Sequence, residues 1–158
     1  MVTVKLRKSR PEELQYFSDL EADADTRDHI TPYSLQQHQS EFASSNCVYL
    51  SICADRELAG FFILALEADN QSVEFRRIVI ARKGHGVGQA AIRALEAWCI
   101  EVLQRRRIWL DVFASNLRAR QVYAKLGYQQ FDSTVLDGRP LLYLQKNIVA
   151  QAVQAADT

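Results

Sequence analysis

Three of the six glycines in this chain fall within five residues, at Gly84, Gly86 and Gly88, between the apolar run Ile78-Val-Ile-Ala and an amphipathic stretch. That arrangement predicts strand, tight loop, helix, and it constrains the fold more than any other segment. Apolar residues at Val87, Ala91, Ala94, Leu95, Trp98 and Val102 repeat at the helical period. The first amides of such a helix lack intrahelical acceptors, the macrodipole adds positive partial charge, and glycines let the backbone approach an anion. Arg82 and Lys83 add formal charge at the rim. A P-loop would need a Lys-Ser/Thr pair after its last glycine, and Gln89-Ala90 stand there instead. A Rossmann fingerprint would need repeated parallel βαβ units, and the first half of the chain does not supply them, although Asp111 lies at a suitable distance. The plain alternative is a tight turn without a ligand.

The elements around this loop follow from local signals. Val2 to Leu6 alternates as a strand, and Ser9-Arg-Pro-Glu12 reads as a capping box that opens a helix to about Glu21. Thr31-Pro32 signals a second helix to about Ser44, carrying Tyr33, Leu35 and Phe42. Cys47 to Ala54 and Leu58 to Leu66 form a hairpin around Asp55-Arg-Glu57, and Val73 to Ile80 is the strand that feeds the loop. Arg107 to Phe113 is a further strand. Asn116 caps a short helix with Ala119, Val122, Tyr123 and Leu126 on one face, and Gly127 ends it. Two strands, about Tyr128 to Leu136 and Pro140 to Lys146, flank an Asp137-Gly138 turn. The order β-α-α-β-β-β-α-β-α-β-β implies a mixed sheet with helices packed on it.

Composition narrows the class. With 158 residues, 48% hydrophobic, 24% charged and a formal net charge of +0, the chain suits one globular domain and gives duplex DNA no basic face. No run approaches the ~20 apolar residues of a membrane span, and the N-terminus is too charged for a secretory signal, so a cytoplasmic location is expected. Cys47, Cys53 and Cys99 form no CxxC, and His29, His38 and His85 show no i, i+4 pairing. The cysteines therefore read as small core residues, and metal chemistry is not expected.

The second half of the sequence sharpens the loop's meaning. Lys83-x-x-Gly86-x-Gly88 is followed by the helix, by Ile108-Trp-Leu-Asp-Val112, and by Asn116-x-x-Ala119-x-x-x-Tyr123-x-x-x-Gly127-Tyr128. Over about residues 73 to 131 this pairing resembles the GNAT (GCN5-related) N-acetyltransferase superfamily. Within it, the run Arg-Arg-Ile-Val-Ile-Ala-x-Lys-Gly-x-Gly is similar to a bacterial branch of RimJ/RimL-like and polyamine-type acetyltransferases. Lys83 stands where that family usually has arginine or glutamine. The resemblance implies a GNAT-like α+β fold, a mostly antiparallel sheet of about seven strands flanked by about four helices. It implies one acetyltransferase domain over 1–147 with a tail at 148–158.

It also implies a site. Acetyl-CoA would lie between the glycine loop and the Asn116 helix. The loop amides of Lys83, Gly84, His85, Gly86, Val87 and Gly88 would hold the pyrophosphate, and the backbone of Ile78, Val79 and Ile80 would pair with the pantetheine arm. Asn116, Ala119 and Tyr123 would complete the cofactor side. Acetyl would pass directly to an amine, with Tyr123 as the acid beside the leaving thiolate. An alkyl amine is mostly protonated at neutral pH, so a base is needed, and Glu74 is the candidate, directly or through water. Core packing is the competing role for Tyr123, and an ion pair with Arg76 or Arg77 is the competing role for Glu74. Arg105-Arg-Arg107 reads as structural. The acidic residues Asp19, Glu21, Asp23, Asp25 and Asp28 would attract a cationic acceptor unless they are a solvated helix end. The expected partner is a small-molecule or peptide amine, with a homodimer left open. An acyl-CoA sensor or an interaction domain without turnover is the alternative function.

Overall fold

A computed structural model describes residues 2–23, 31–81 and 86–148. Seven strands form one sheet in the order β1-β2-β3-β4-β5-β7-β6, where β1 is Val4–Lys8, β2 Cys47–Ala54, β3 Glu57–Leu66, β4 Ser72–Ile80, β5 Arg107–Phe113, β6 Gln129–Leu136 and β7 Arg139–Asn147. Four α-helices accompany it among the described residues: α1 Leu14–Ala22, α2 Leu35–Ala43, α3 Val87–Trp98 and α4 Leu117–Lys125. All neighbouring strands are antiparallel except β4 and β5. This is the expected GNAT-like architecture, and the element order matches the sequence reading throughout.

Both faces of the sheet are covered, unequally. Leu50, Ile52, Phe62, Leu64, Val73, Phe75, Ile108, Leu110 and Leu144 pack against α3 and α4. On the opposite face, Tyr49, Phe61, Ile63 and Val79 pack against Leu14 and Phe17 of α1, with Leu35 and Phe42 of α2 alongside. The long apolar run of β3 is explained by this: Phe61 to Leu64 are fully buried and alternate between the two cores. Cys99 joins the larger core, where burial pushes its thiol up to about 12, whereas Cys47 and Cys53 are only half-buried. Ile148 also belongs to that core, its amide donating to the Arg106 carbonyl at 2.8 Å.

Some boundaries shift from the expectation for physical reasons. Ser9 does not cap the first helix; it is buried and its hydroxyl meets that of Ser51 at 2.8 Å. Arg10 is the cap instead, and Glu13 accepts from its amide at 2.8 Å before a single 3-10 turn, Pro11–Glu13, leads into α1. Ser34 rather than Thr31 caps α2, in a reciprocal box with Gln37. The α-helical part of α3 stops at Trp98, and Cys99–Leu103 widen into a π turn that leaves Val102 exposed. The Asp137-Gly138 turn is as expected, and the first hairpin turn is one residue shorter than expected because Glu57 pairs with Ala54. Positive φ at Asp55 and Arg56 and again at Asp137 and Gly138 gives both the two-residue geometry that matches strand twist.

Glu13 ties three elements together. Its carboxylate takes Arg7 in a two-bond fork at 2.9 and 2.6 Å, and also accepts from Ser51 of β2 at 2.9 Å. Hydrogen bonding to Arg7, with the Arg10 amide and the Ser51 hydroxyl, lowers its pKa from 4.5 to about 2. The unfolded chain therefore binds the extra proton between those values, so the Glu13 contribution is complete above about 4.5 and is lost as pH falls toward 2. Glu13→Gln is expected to lower unfolding free energy at pH 7 by on the order of 1–2 kcal/mol, a difference that shrinks toward pH 2 in urea titrations. A pH-independent difference would refute this assignment.

Candidate active site

The parallel pair β4/β5 is joined only at its start, Ser72 to Glu74 against Arg107 to Trp109. Beyond that point the strands part, so Phe75–Ile80 and Leu110–Phe113 have no partner in each other and a wedge opens. The edge of β4 that faces it carries backbone donors and acceptors outside any ladder, a template for an extended amide chain. Ile78, Val79 and Ile80 all lie on this free stretch.

Beside the wedge, β4 carries a bulge. Ile63 pairs with Arg77 and Leu64 with Phe75, which leaves Arg76 as the extra residue. Phe75 and Ile78 consequently both face the α3/α4 core, while Arg76 and Arg77 both turn to α1 and α2, meeting Glu41 and Glu21. The alternation Val73, Phe75, then Ile78, Ile80, broken by two adjacent arginines, is the sequence signal for this bulge.

At the open end of β4, Gly86 is the N-cap of α3 with φ 76° and ψ 2°, a left-handed geometry that glycine adopts without strain. Val87 is buried beneath it and Gly88 is half-buried. Lys83, Gly84 and His85, with Arg82, lie outside the described residues.

Across the wedge, Asn116 caps α4 as expected, its side chain accepting from the Ala119 amide at 3.3 Å. Ala119 packs against the larger core, and Tyr123 is buried, its ring edge-on to Phe75 at 6.0 Å. The helix ends in a Schellman motif: the Tyr128 amide donates to the Tyr123 carbonyl at 3.0 Å and the Gly127 amide to Ala124 at 3.1 Å, with Gly127 at φ 96°. Tyr128 then stacks edge-on against Tyr123 at 5.9 Å, so the backbone and ring of Tyr123 are both fixed. Burial, and then the charge of Asp111, raises the Tyr123 phenol above its ordinary value of 10.

Glu74 sits where the strands begin to part, on the face away from α3 and α4. Its carboxylate accepts from Arg76 at 3.1 Å, the ion pair that competes with a catalytic role. Asp111, on the same face of β5, is a carboxylate that the sequence reading did not assign. Its residue surface reaches solvent, yet desolvation by the adjoining strands and then the charge of Glu74 raise it above the usual aspartate value. Tyr123 thus approaches the wedge from one side and two coupled carboxylates from the other.

Other expectations resolve plainly. Arg105 donates to the Glu67 carbonyl at 2.9 Å and Arg107 to Gln145 at 2.7 Å, both structural. Trp109 bonds Glu67 at 3.1 Å and stacks near Tyr143. Of the acidic stretch, Glu21 is no surface attractor: it is fully buried, paired with His38 and Arg77, each at 2.5 Å. Asp25, Asp28 and His29 fall outside the described residues. No group of three His, Cys, Asp or Glu side chains suited to a metal occurs among the described residues, and no described helix is long and apolar enough to cross a membrane.

Known structures share this fold. Spermidine N-acetyltransferase from Vibrio cholerae, solved with CoA and spermine, superposes with TM-score 0.79 at 17% identity, over 92% of this chain and 95% of that one. Aminoglycoside acetyltransferase AAC(6')-Ib, solved with coenzyme A and kanamycin, superposes with TM-score 0.80 at 18% identity, over 99% of this chain and 100% of that one. The family model described as "Acetyltransferase (GNAT) family" matches residues 13–128, from the turn before α1 through the Schellman end of α4, and the chain belongs to the GNAT acetyltransferase family.

Proposed function

We propose that this protein is an acetyl-CoA-dependent N-acetyltransferase that passes the acetyl group directly to a primary amine. The acceptor is a small molecule, polyamine-like or similar, or a peptide N-terminus. The observation that carries this reading is the wedge between β4 and β5, flanked by Gly86 at the start of α3 and by Tyr123 on α4. The pyrophosphate would sit at the amides that open α3, from Gly86 to Gly88, with Lys83, Gly84 and His85 preceding them. The pantetheine would run along the free edge at Ile78 to Ile80, with Asn116 and Ala119 on the opposite wall. Acetyl-CoA would supply an activated thioester when bound.

The geometry supports the following roles for the chain's own groups. An amine entering from the α1/α2 side meets Glu74 and Asp111, and Glu74 accepts its proton directly or through water. Tyr123, kept neutral by burial, donates a hydrogen bond to the leaving sulfur from the other side. A thiolate is a good leaving group near neutral pH, so this donor need not surrender its proton completely. Cationic acceptors suit two carboxylates at the entry, and the similar enzymes were solved with a polyamine and with an aminoglycoside.

Calorimetry with acetyl-CoA, followed by free-thiol detection with a panel of amines, tests the whole reading. Saturable binding and amine-dependent thiol release are expected; no binding would end it. The carboxylates have their own signature. Asp111 must be ionised to attract a cationic amine, so its contribution to kcat/KM grows as pH rises through its ionisation. Glu74→Gln is expected to lower kcat/KM by about 10²-fold. Asp111→Asn should remove the part of the acid limb above the ordinary aspartate value of 3.8, because its own ionisation is displaced upward. An acid limb identical in the wild type and Asp111→Asn would exclude Asp111.

A further inference from the structure

Beneath the α1/α2 face lies a polar chain that the acetyl-transfer reading does not use. Glu21 at the end of α1 and His38 in α2 have no exposed side-chain surface, and Tyr49 of β2 is nearly as buried. His38 Nε2 meets Glu21 Oε1 at 2.5 Å, and Nδ1 meets the Tyr49 hydroxyl at 2.8 Å. The tautomer that satisfies both partners has Nε2–H donating to the carboxylate and Nδ1 accepting from the phenol. Glu21 Oε1 also accepts from the Tyr33 amide at 3.1 Å, and Oε2 accepts from Arg77 Nη1 at 2.5 Å. Tyr33 stacks on the guanidinium at 4.1 Å, and the Arg77 Nε–H is buried without a hydrogen-bond partner among the described residues. Phe61, Tyr33 and Tyr49 box the imidazole edge-on.

A buried ion pair of this kind is weak evidence for stability, since an apolar replacement of similar shape often serves as well. What it does well is fix geometry. Arg77 is the second residue of the β4 bulge, and the first, Arg76, is tied to Glu41 and Glu74. The bulge starts two residues past the last β4/β5 pair, at the place where β4 becomes a free edge. Its exact bend sets where the following backbone amides and the Glu74 carboxylate point.

We propose that Glu21, His38 and Tyr49 are positioning residues: through Arg77 they hold the β4 bulge in the geometry that acetyl transfer requires. The catalytic part of this inference rests on the acetyltransferase reading; the part about the bulge does not. Glu21→Gln leaves the Arg77 guanidinium buried without a counter-charge, and it should lower Tm by about 10 °C. It should also lower kcat for amine acetylation by roughly 10- to 100-fold, with a smaller loss of acetyl-CoA affinity. Tyr49→Phe keeps both charges and should lower kcat in the same direction, by roughly threefold to tenfold.

The deciding variant is Glu21→Gln with Arg77→Met, which removes both buried charges. Tm should recover most of the loss while kcat stays low, and the ¹H–¹⁵N shifts of Arg76 and Ile78 should remain displaced from wild type. Recovery of kcat together with Tm would mean that the chain serves stability alone and would overturn the proposal. If the wild type acetylates no amine, the acetyltransferase reading fails, and the amide shifts still decide: unmoved resonances at Arg76 to Ile78 in Glu21→Gln and Tyr49→Phe would overturn the link to the bulge.

Discussion

Tyr123→Phe is expected to lower amine acetylation by about 10²-fold or more, with acetyl-CoA affinity and Tm close to wild type. The substitution isolates one atom. The phenyl ring keeps its edge-on contacts with Phe75 and Tyr128, and the carbonyl at this position still closes the Schellman turn. If Tyr123 serves packing alone, nothing in turnover should change, because only the hydroxyl leaves. If the hydroxyl meets the departing sulfur, its loss falls on kcat. The pH profile adds a second check. A hydrogen-bond donor must hold its proton, and burial moves the phenol above 10, so no alkaline limb from Tyr123 is expected below that pH. An alkaline limb below 10 that vanishes in Tyr123→Phe would contradict the assigned environment, and unchanged turnover would remove Tyr123 from the reaction.

The part of the fold legible in the sequence is the part written in short-range chemistry. The Asn116 cap bonds an amide three residues away, and Gly127 supplies the positive φ that ends the same helix. The strand, glycine loop and helix around Gly86 are likewise contiguous, so neighbouring residues alone are enough to mark out the proposed cofactor side. Even the misplaced caps kept their neighbourhoods: Arg10 and Ser34 stand within a few residues of Ser9 and Thr31. The acceptor side is another matter. Glu21 meets His38 across 17 residues and Arg77 across 56, pairings that depend on how two helices cross a sheet. Within an acidic run, Glu21 has the look of a surface charge. Its burial comes from α1 lying over β3 and β4, and no local pattern encodes that. Asp111 escapes a sequence reading for the same reason, since its raised pKa arises from desolvation and from Glu74 on the neighbouring strand.

Gly86→Asp is expected to raise the dissociation constant of acetyl-CoA by at least about 10²-fold, equal to about 2.7 kcal/mol, without unfolding the protein. The control that gives this force is Gly86→Ala. At φ 76° any side chain pays for the left-handed backbone, about 1–2 kcal/mol for alanine, although a Cβ there meets no atom within 4 Å. Aspartate tolerates this region better, and its carboxylate at the start of α3 complements the helix dipole. The unliganded Asp variant should therefore be at least as stable as the Ala variant. Ligand binding should rank them the other way. The Asp carboxylate would occupy the ground where the pyrophosphate meets the first amides of α3, whereas alanine adds only a methyl group in open space. Acetyl-CoA affinity should fall less than about tenfold in Gly86→Ala, and the gap between the two variants should narrow as added salt screens the repulsion. Equal affinities would mean that the phosphates lie elsewhere. A fall in both variants that tracks Tm would mean that Gly86 matters for the backbone turn and not for an anion.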